Sequence, residues 1–68
     1  MSKITMKAAR INAGLTQKVA AKKLNVSNKT LHRWENGISY PTPPKIEAIC
    51  TLYGLSYDDI IFLPCNSL

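Results

Sequence analysis

Five polar side chains, Asn28, Lys29, His32, Arg33 and Asn36, fall in one sector when their stretch is projected as a helix at about 100° per residue. Leu31 and Trp34 fall opposite them. The sector offers amides, cations and an imidazole, and no carboxylate. Each of these groups can hydrogen-bond a base edge or a phosphate. Arg and Lys suit the acceptors of guanine, and Asn suits the paired donor and acceptor of adenine. Two other readings compete. His32 as a catalytic base or metal ligand lacks a nucleophile or a second ligand at useful spacing. Lys29 and Arg33 as a merely solvated helical pair stand level with nucleic-acid contact on periodicity alone. Trp34 could be a stacking platform, but its place opposite the polar face assigns it to the core.

These side chains need a short helix to hold them, and the chain is punctuated for one. Ser27 is a good N-cap, and Gly37 ends the segment. Before it, Thr16 caps a second helix over residues 17–24, with Ala20, Ala21 and Leu24 inward and Lys18 and Lys22 outward. Asn25 stops that helix because Asn tolerates the left-handed conformation. Val26 is an apolar plug, and the short turn suits two helices that cross steeply. The N-termini of both helices can present backbone N–H groups to phosphate oxygens.

A first helix is expected over residues 4–13, closed by Gly14. Beyond Ser39-Tyr40-Pro41-Thr42-Pro43-Pro44, Thr42 as N-cap and Pro43 as first helical residue open a fourth. Its inner face is Ile46, Ile49, Cys50 and Tyr53. A fifth helix is expected from Ser56, where Ser56-Tyr57-Asp58-Asp59 resembles a capping box, until Pro64 stops it. No convincing strand is visible. The expectation is one all-α domain over residues 1–68, ordered over about 4–63 and frayed over 64–68.

The chain has 68 residues, 46% of them hydrophobic and 19% charged, which fits one small folded domain and argues against disorder. So small a core leaves little support for an enzyme cleft. Charge is divided unevenly. Residues 1–33 hold Lys3, Lys7, Arg10, Lys18, Lys22, Lys23, Lys29 and Arg33 without a carboxylate; residues 34–68 hold Lys45 against Glu35, Glu47, Asp58 and Asp59. A division of +8 against −3 points to nucleic acid, an anionic membrane or a basic arm. The caps and glycines cut the basic half into short helices, which argues against a membrane-surface peptide. No apolar run has the length of a signal peptide or a membrane span. The expectation is a cytoplasmic protein with reduced cysteines, Cys50 a small buried residue and Cys65 an inert thiol on the tail. No cofactor and no metal site are expected.

The run Arg10-x-x-x-Gly14-Leu15-Thr16-Gln17-x-x-x-Ala21-x-x-Leu24-x-Val26-Ser27-x-x-Thr30-Leu31-x-x-Trp34-Glu35-Asn36-Gly37 resembles the helix-turn-helix domain of phage repressors and Cro proteins, the xenobiotic-response-element family. The likeness extends through Pro41 to Leu55-Ser56-Tyr57-Asp58-Asp59-Ile60-Ile61. It implies a compact five-helix, lambda-repressor-like fold whose second and third helices form the motif, with the third in the DNA major groove. It implies base contacts from Ser27, Asn28, Lys29 and Arg33, with Thr30 and His32 as neighbours. It implies phosphate contacts from Gln17, Asn36, Ser39 and Tyr40, with Thr16 and Lys18 beside them. It also implies an internal ion pair between Arg10 and Glu35. The sequence departs from the family's habit at Ala20, where a larger aliphatic residue is usual, and Val19 is expected to turn inward to fill that space.

The function implied is a sequence-specific transcriptional regulator, phage or prophage repressor-like or Cro-like. It would bind double-stranded operator DNA as a weak homodimer completed on a two-fold site, with Phe62 and Leu63 as interface candidates. The alternative is an antitoxin or antirepressor-type module whose partner is another protein.

Overall fold

A computed structural model describes residues 3–62. The proposed stop at Pro64, the interface candidate Leu63 and the tail with Cys65 lie outside the described residues. The described chain is mostly helical. Strand β1 (Ile4–Thr5) leads into helices α1 (Met6–Asn12), α2 (Gln17–Lys23), α3 (Asn28–Glu35) and α4 (Pro43–Tyr53). A 3₁₀ turn over Tyr57–Asp59 and strand β2 (Ile60–Ile61) follow.

The expected fifth helix is therefore a single turn. Its start signal works: the Ser56 N–H and Oγ–H donate to Asp59 Oδ2 at 3.3 and 2.8 Å. Propagation then fails, because Ile60 and Ile61 are β-branched and extend instead. They pair in parallel with the other end of the chain, Ile4 opposite Ile60 and Thr5 opposite Ile61. That pairing also corrects the first helix, which begins at Met6 and not at residue 4. Thr5 is extended, and its hydroxyl oxygen accepts from the Ala8 N–H at 3.1 Å. A strand pair was thus missed at both ends.

Elsewhere the local signals act where they sit. Thr16 Oγ1 accepts from the Val19 N–H at 3.2 Å and Ser27 Oγ from the Thr30 N–H at 3.0 Å, opening α2 and α3. Thr42 occupies the N-cap position of α4, but its hydroxyl makes no capping bond. The following Pro43 and Pro44 have no N–H to offer. Asn25 adopts φ +60°, the left-handed turn that separates α2 from α3. The Val26 N–H then reaches back to the Ala21 carbonyl at 3.0 Å. Gly37 at φ +73° ends α3 and turns the chain toward α4.

The core lies between the helices and is small. Met6, Ala9, Ala20, Ala21, Leu24, Leu31, Trp34, Ile49, Tyr53 and Ile60 form it. Leu31 and Ile49 are fully enclosed, each 0% exposed. Each such side chain contributes about 1.5–3 kcal/mol by leaving water. On α4, Ile46 and Cys50 are only half-buried. Val19 does not turn inward; it remains 42% exposed. Ala20 is fully buried, so α2 packs closely against its neighbours and leaves Val19 no space to fill.

Candidate nucleic-acid interface

The outer face of α3 carries Asn28, Lys29, His32 and Arg33, all exposed, while Leu31, Trp34 and Glu35 are buried beneath it. Helical periodicity produces this division. Ser27 fixes the start of the helix, and its Oγ lies 2.8 Å from Thr30 Oγ1. Both hydroxyls are thus engaged with each other at the N-terminus, and Thr30 is half-buried. Asn36, at the other end, donates through Nδ2 to the His32 carbonyl at 2.7 Å. Its side chain therefore closes α3 as well as facing solvent.

Around this face sit the residues expected at phosphates. Lys18 is exposed on α2 and lines a groove of about 420 Å³ with Lys22, Asn25, Ser27 and Asn28. No acidic side chain lines that groove. Thr16 is exposed, with its oxygen accepting the capping bond. Ser39 is half-buried in the turn after α3. Tyr40 is exposed, its ring 6.1 Å from that of Phe62, and Phe62 stacks on Tyr57 at 5.4 Å. The bond with the Tyr57 side chain, followed by burial, holds the Tyr40 hydroxyl above its ordinary pKa.

Beneath the face lies a polar network. Arg10 Nε donates to Glu35 Oε2 at 2.8 Å, and a second guanidinium nitrogen reaches Oε1 at 3.4 Å. The third nitrogen donates to the Leu15 carbonyl at 3.0 Å, so Arg10 joins α1, the turn before α2 and the end of α3. The side chains are only 10% and 3% exposed. Gln17 completes the set: its Nε2 donates to Glu35 Oε1 at 3.2 Å. Tyr53 packs nearby, its pKa pushed up to about 12 by burial first and then by the Glu35 charge, with Arg10 opposing. Among the described residues its hydroxyl is a buried group without a hydrogen-bond partner.

Sequence reasoning assigned Gln17 only to phosphate and missed its bond to Glu35. The two lie 18 residues apart with no shared helical spacing to signal contact. It also missed Lys45, whose Nζ donates to the Leu24 carbonyl at 2.8 Å and closes α2. Burial raises the pKa of Cys50, which lies on the half-buried side of α4. Among the described residues no cluster of His, Cys, Asp and Glu could hold a metal ion. No helix there is long and apolar enough to cross a membrane.

Comparison with known proteins places this geometry in context. A family model described as "Helix-turn-helix" matches residues 6–60. The HTH-type transcriptional regulator ImmR of Bacillus subtilis (strain 168) is 38% identical over 56 residues, which is 82% of this chain and 44% of that protein. The chain thus spans less than half the length of that relative. No solved structure matches.

Proposed function

The chain belongs to the helix-turn-helix family, and on that premise we propose that it is a sequence-specific DNA-binding regulator of transcription, repressor-like or Cro-like, of phage or prophage type. The likeness to a protein named as a transcriptional regulator supports this reading and does not favour an enzyme. The observation that carries it is the exposed face of α3, rich in donors and without a carboxylate. In this reading α3 lies in the major groove. Asn28, Lys29 and Arg33 read base edges there, with Ser27, Thr30 and His32 beside them. Thr16, Gln17, Lys18, Asn36, Ser39 and Tyr40 then serve the phosphates that fix register.

One such helix reads only a few base pairs, so useful specificity calls for two copies on a two-fold operator. Half-sites one helical turn apart lie about 34–36 Å from centre to centre. The molecule extends 32 × 29 × 20 Å, so one copy fits on each half-site at that spacing. The apolar edge formed by Tyr40, Tyr57, Ile61 and Phe62 suits contact between copies, in a dimer completed on DNA.

Binding of labelled duplexes as a function of salt tests the proposal. Affinity should fall linearly on a double-logarithmic plot, with a slope of about −0.9 for each phosphate neutralised. A flat salt response would remove the DNA reading.

A further inference from the structure

We propose that Glu35 is a positioning residue for DNA binding: it holds the Gln17 carboxamide so that one N–H stays with Glu35 and the other is offered to a backbone phosphate. This rests on the DNA-binding reading above, in which Gln17 already serves a phosphate, and adds to it the device that aims that donor.

The chemistry of the partners fixes the orientation. A carboxylate only accepts hydrogen bonds, so the Gln17 group that lies 3.2 Å from Glu35 Oε1 must be the NH₂ end. That nitrogen has two N–H bonds, and Glu35 takes one. A phosphate oxygen is also an obligate acceptor, so the same nitrogen can serve both. An unneutralised carboxylate would repel the phosphate it helps to bind. Arg10 prevents this, with a contact of 2.8 Å to Glu35 Oε2 and a second donor on Oε1.

Glu35 is itself buried and cannot reach a ligand, whereas Gln17 is only half-buried and stands between the exposed residues Thr16 and Lys18 at the start of α2. The arrangement therefore passes positional order from the interior to a surface donor. A glutamine left free on a surface samples many rotamers and loses that freedom on binding. Gln17 is restrained before DNA arrives, which lowers that loss.

A double-mutant cycle separates positioning from a merely structural role. The two backgrounds are the native chain and Arg10→Met/Glu35→Leu, in which an apolar pair replaces the ion pair. Gln17→Leu is introduced into each, and affinity is measured for a duplex recovered by selection from a random library. In the native background Gln17→Leu should weaken binding about tenfold, the scale of one charge-assisted hydrogen bond. In the replaced background it should weaken binding less than about threefold, because the amide is no longer held. Equal losses in both backgrounds overturn the proposal while leaving DNA binding intact. A native chain that binds no duplex removes the DNA reading itself. A second measurement needs no variant. In the free native protein, NMR should find one Gln17 side-chain N–H shifted from the ordinary glutamine position and exchanging slowly, and the other should move when DNA is added. Two ordinary, fast-exchanging amide protons would overturn the proposal.

Discussion

Replacing Arg10 by Met strands a buried carboxylate, and the consequence can be worked from the contacts. Glu35 accepts two bonds from Arg10 and one from Gln17, and its side chain is 3% exposed. Met removes both guanidinium bonds and the compensating charge, and it leaves the Leu15 carbonyl without its donor at 3.0 Å. Breaking one side of a buried pair costs about 3–5 kcal/mol. At roughly 0.05–0.15 kcal/mol per residue, a chain of 68 residues has only about 3–10 kcal/mol in total. Arg10→Met should therefore bring the domain close to unfolding at room temperature. Arg10→Met/Glu35→Leu should recover most of the loss, because a well-packed apolar pair is often neutral or better than the ion pair it replaces. Urea unfolding at neutral pH, followed by fluorescence of Trp34, the sole Trp of the sequence and buried in the core, reports both values. A single variant within about 1 kcal/mol of the native protein would mean that the pair behaves as a surface pair and would refute the reasoning. A double variant no more stable than the single one would do the same.

Further expectations bear on other parts of the molecule. Lys29→Ala and Arg33→Ala should each cost about 1–3 kcal/mol at the cognate duplex and relax base preference at one position, as titration against singly altered duplexes would reveal. Equal losses on every sequence would reduce them to phosphate contacts. Asn25→Ala should destabilise by about 1–2 kcal/mol in urea unfolding, because φ is +60° there, whereas Asn25→Gly should not. Tyr53 has a folded-state pKa of about 12, above that of an ordinary tyrosine, so the folded state holds its proton more tightly. Stability from this group is present below about pH 10 and declines as pH rises toward 12. Tyr53→Phe should make that decline in melting temperature with pH shallower, leaving the part due to Tyr40, and at neutral pH it should be neutral or slightly stabilising because the hydroxyl lacks a partner.

What could be read from the sequence was local. Thr16, Ser27, Asn25 and Gly37 each act within a few residues of where they stand, so the turn between α2 and α3 and the ends of both helices were legible. The division of α3 follows from the helical period, since only one side of so short a helix can face the core. The pairing of Ile4–Thr5 with Ile60–Ile61 joins the two ends of the described chain, and no local pattern announces it. It turned an expected helix into one 3₁₀ turn and moved the start of another. Val19 departs from what the likeness implies, because close packing of α2 at Ala20 leaves no space there for it to fill. Gln17, Lys45 and Tyr53 acquire their surroundings only in three dimensions.

Selection of bound sequences from a random duplex library tests the central claim most directly. Recovery of a two-fold site, with half-sites one helical turn apart, is the expected result. The native protein should enrich it, and the Lys29→Ala and Arg33→Ala proteins should lose preference at particular positions within it. A library that emerges unenriched, or enriched without any recurring sequence, would contradict sequence-specific binding by α3.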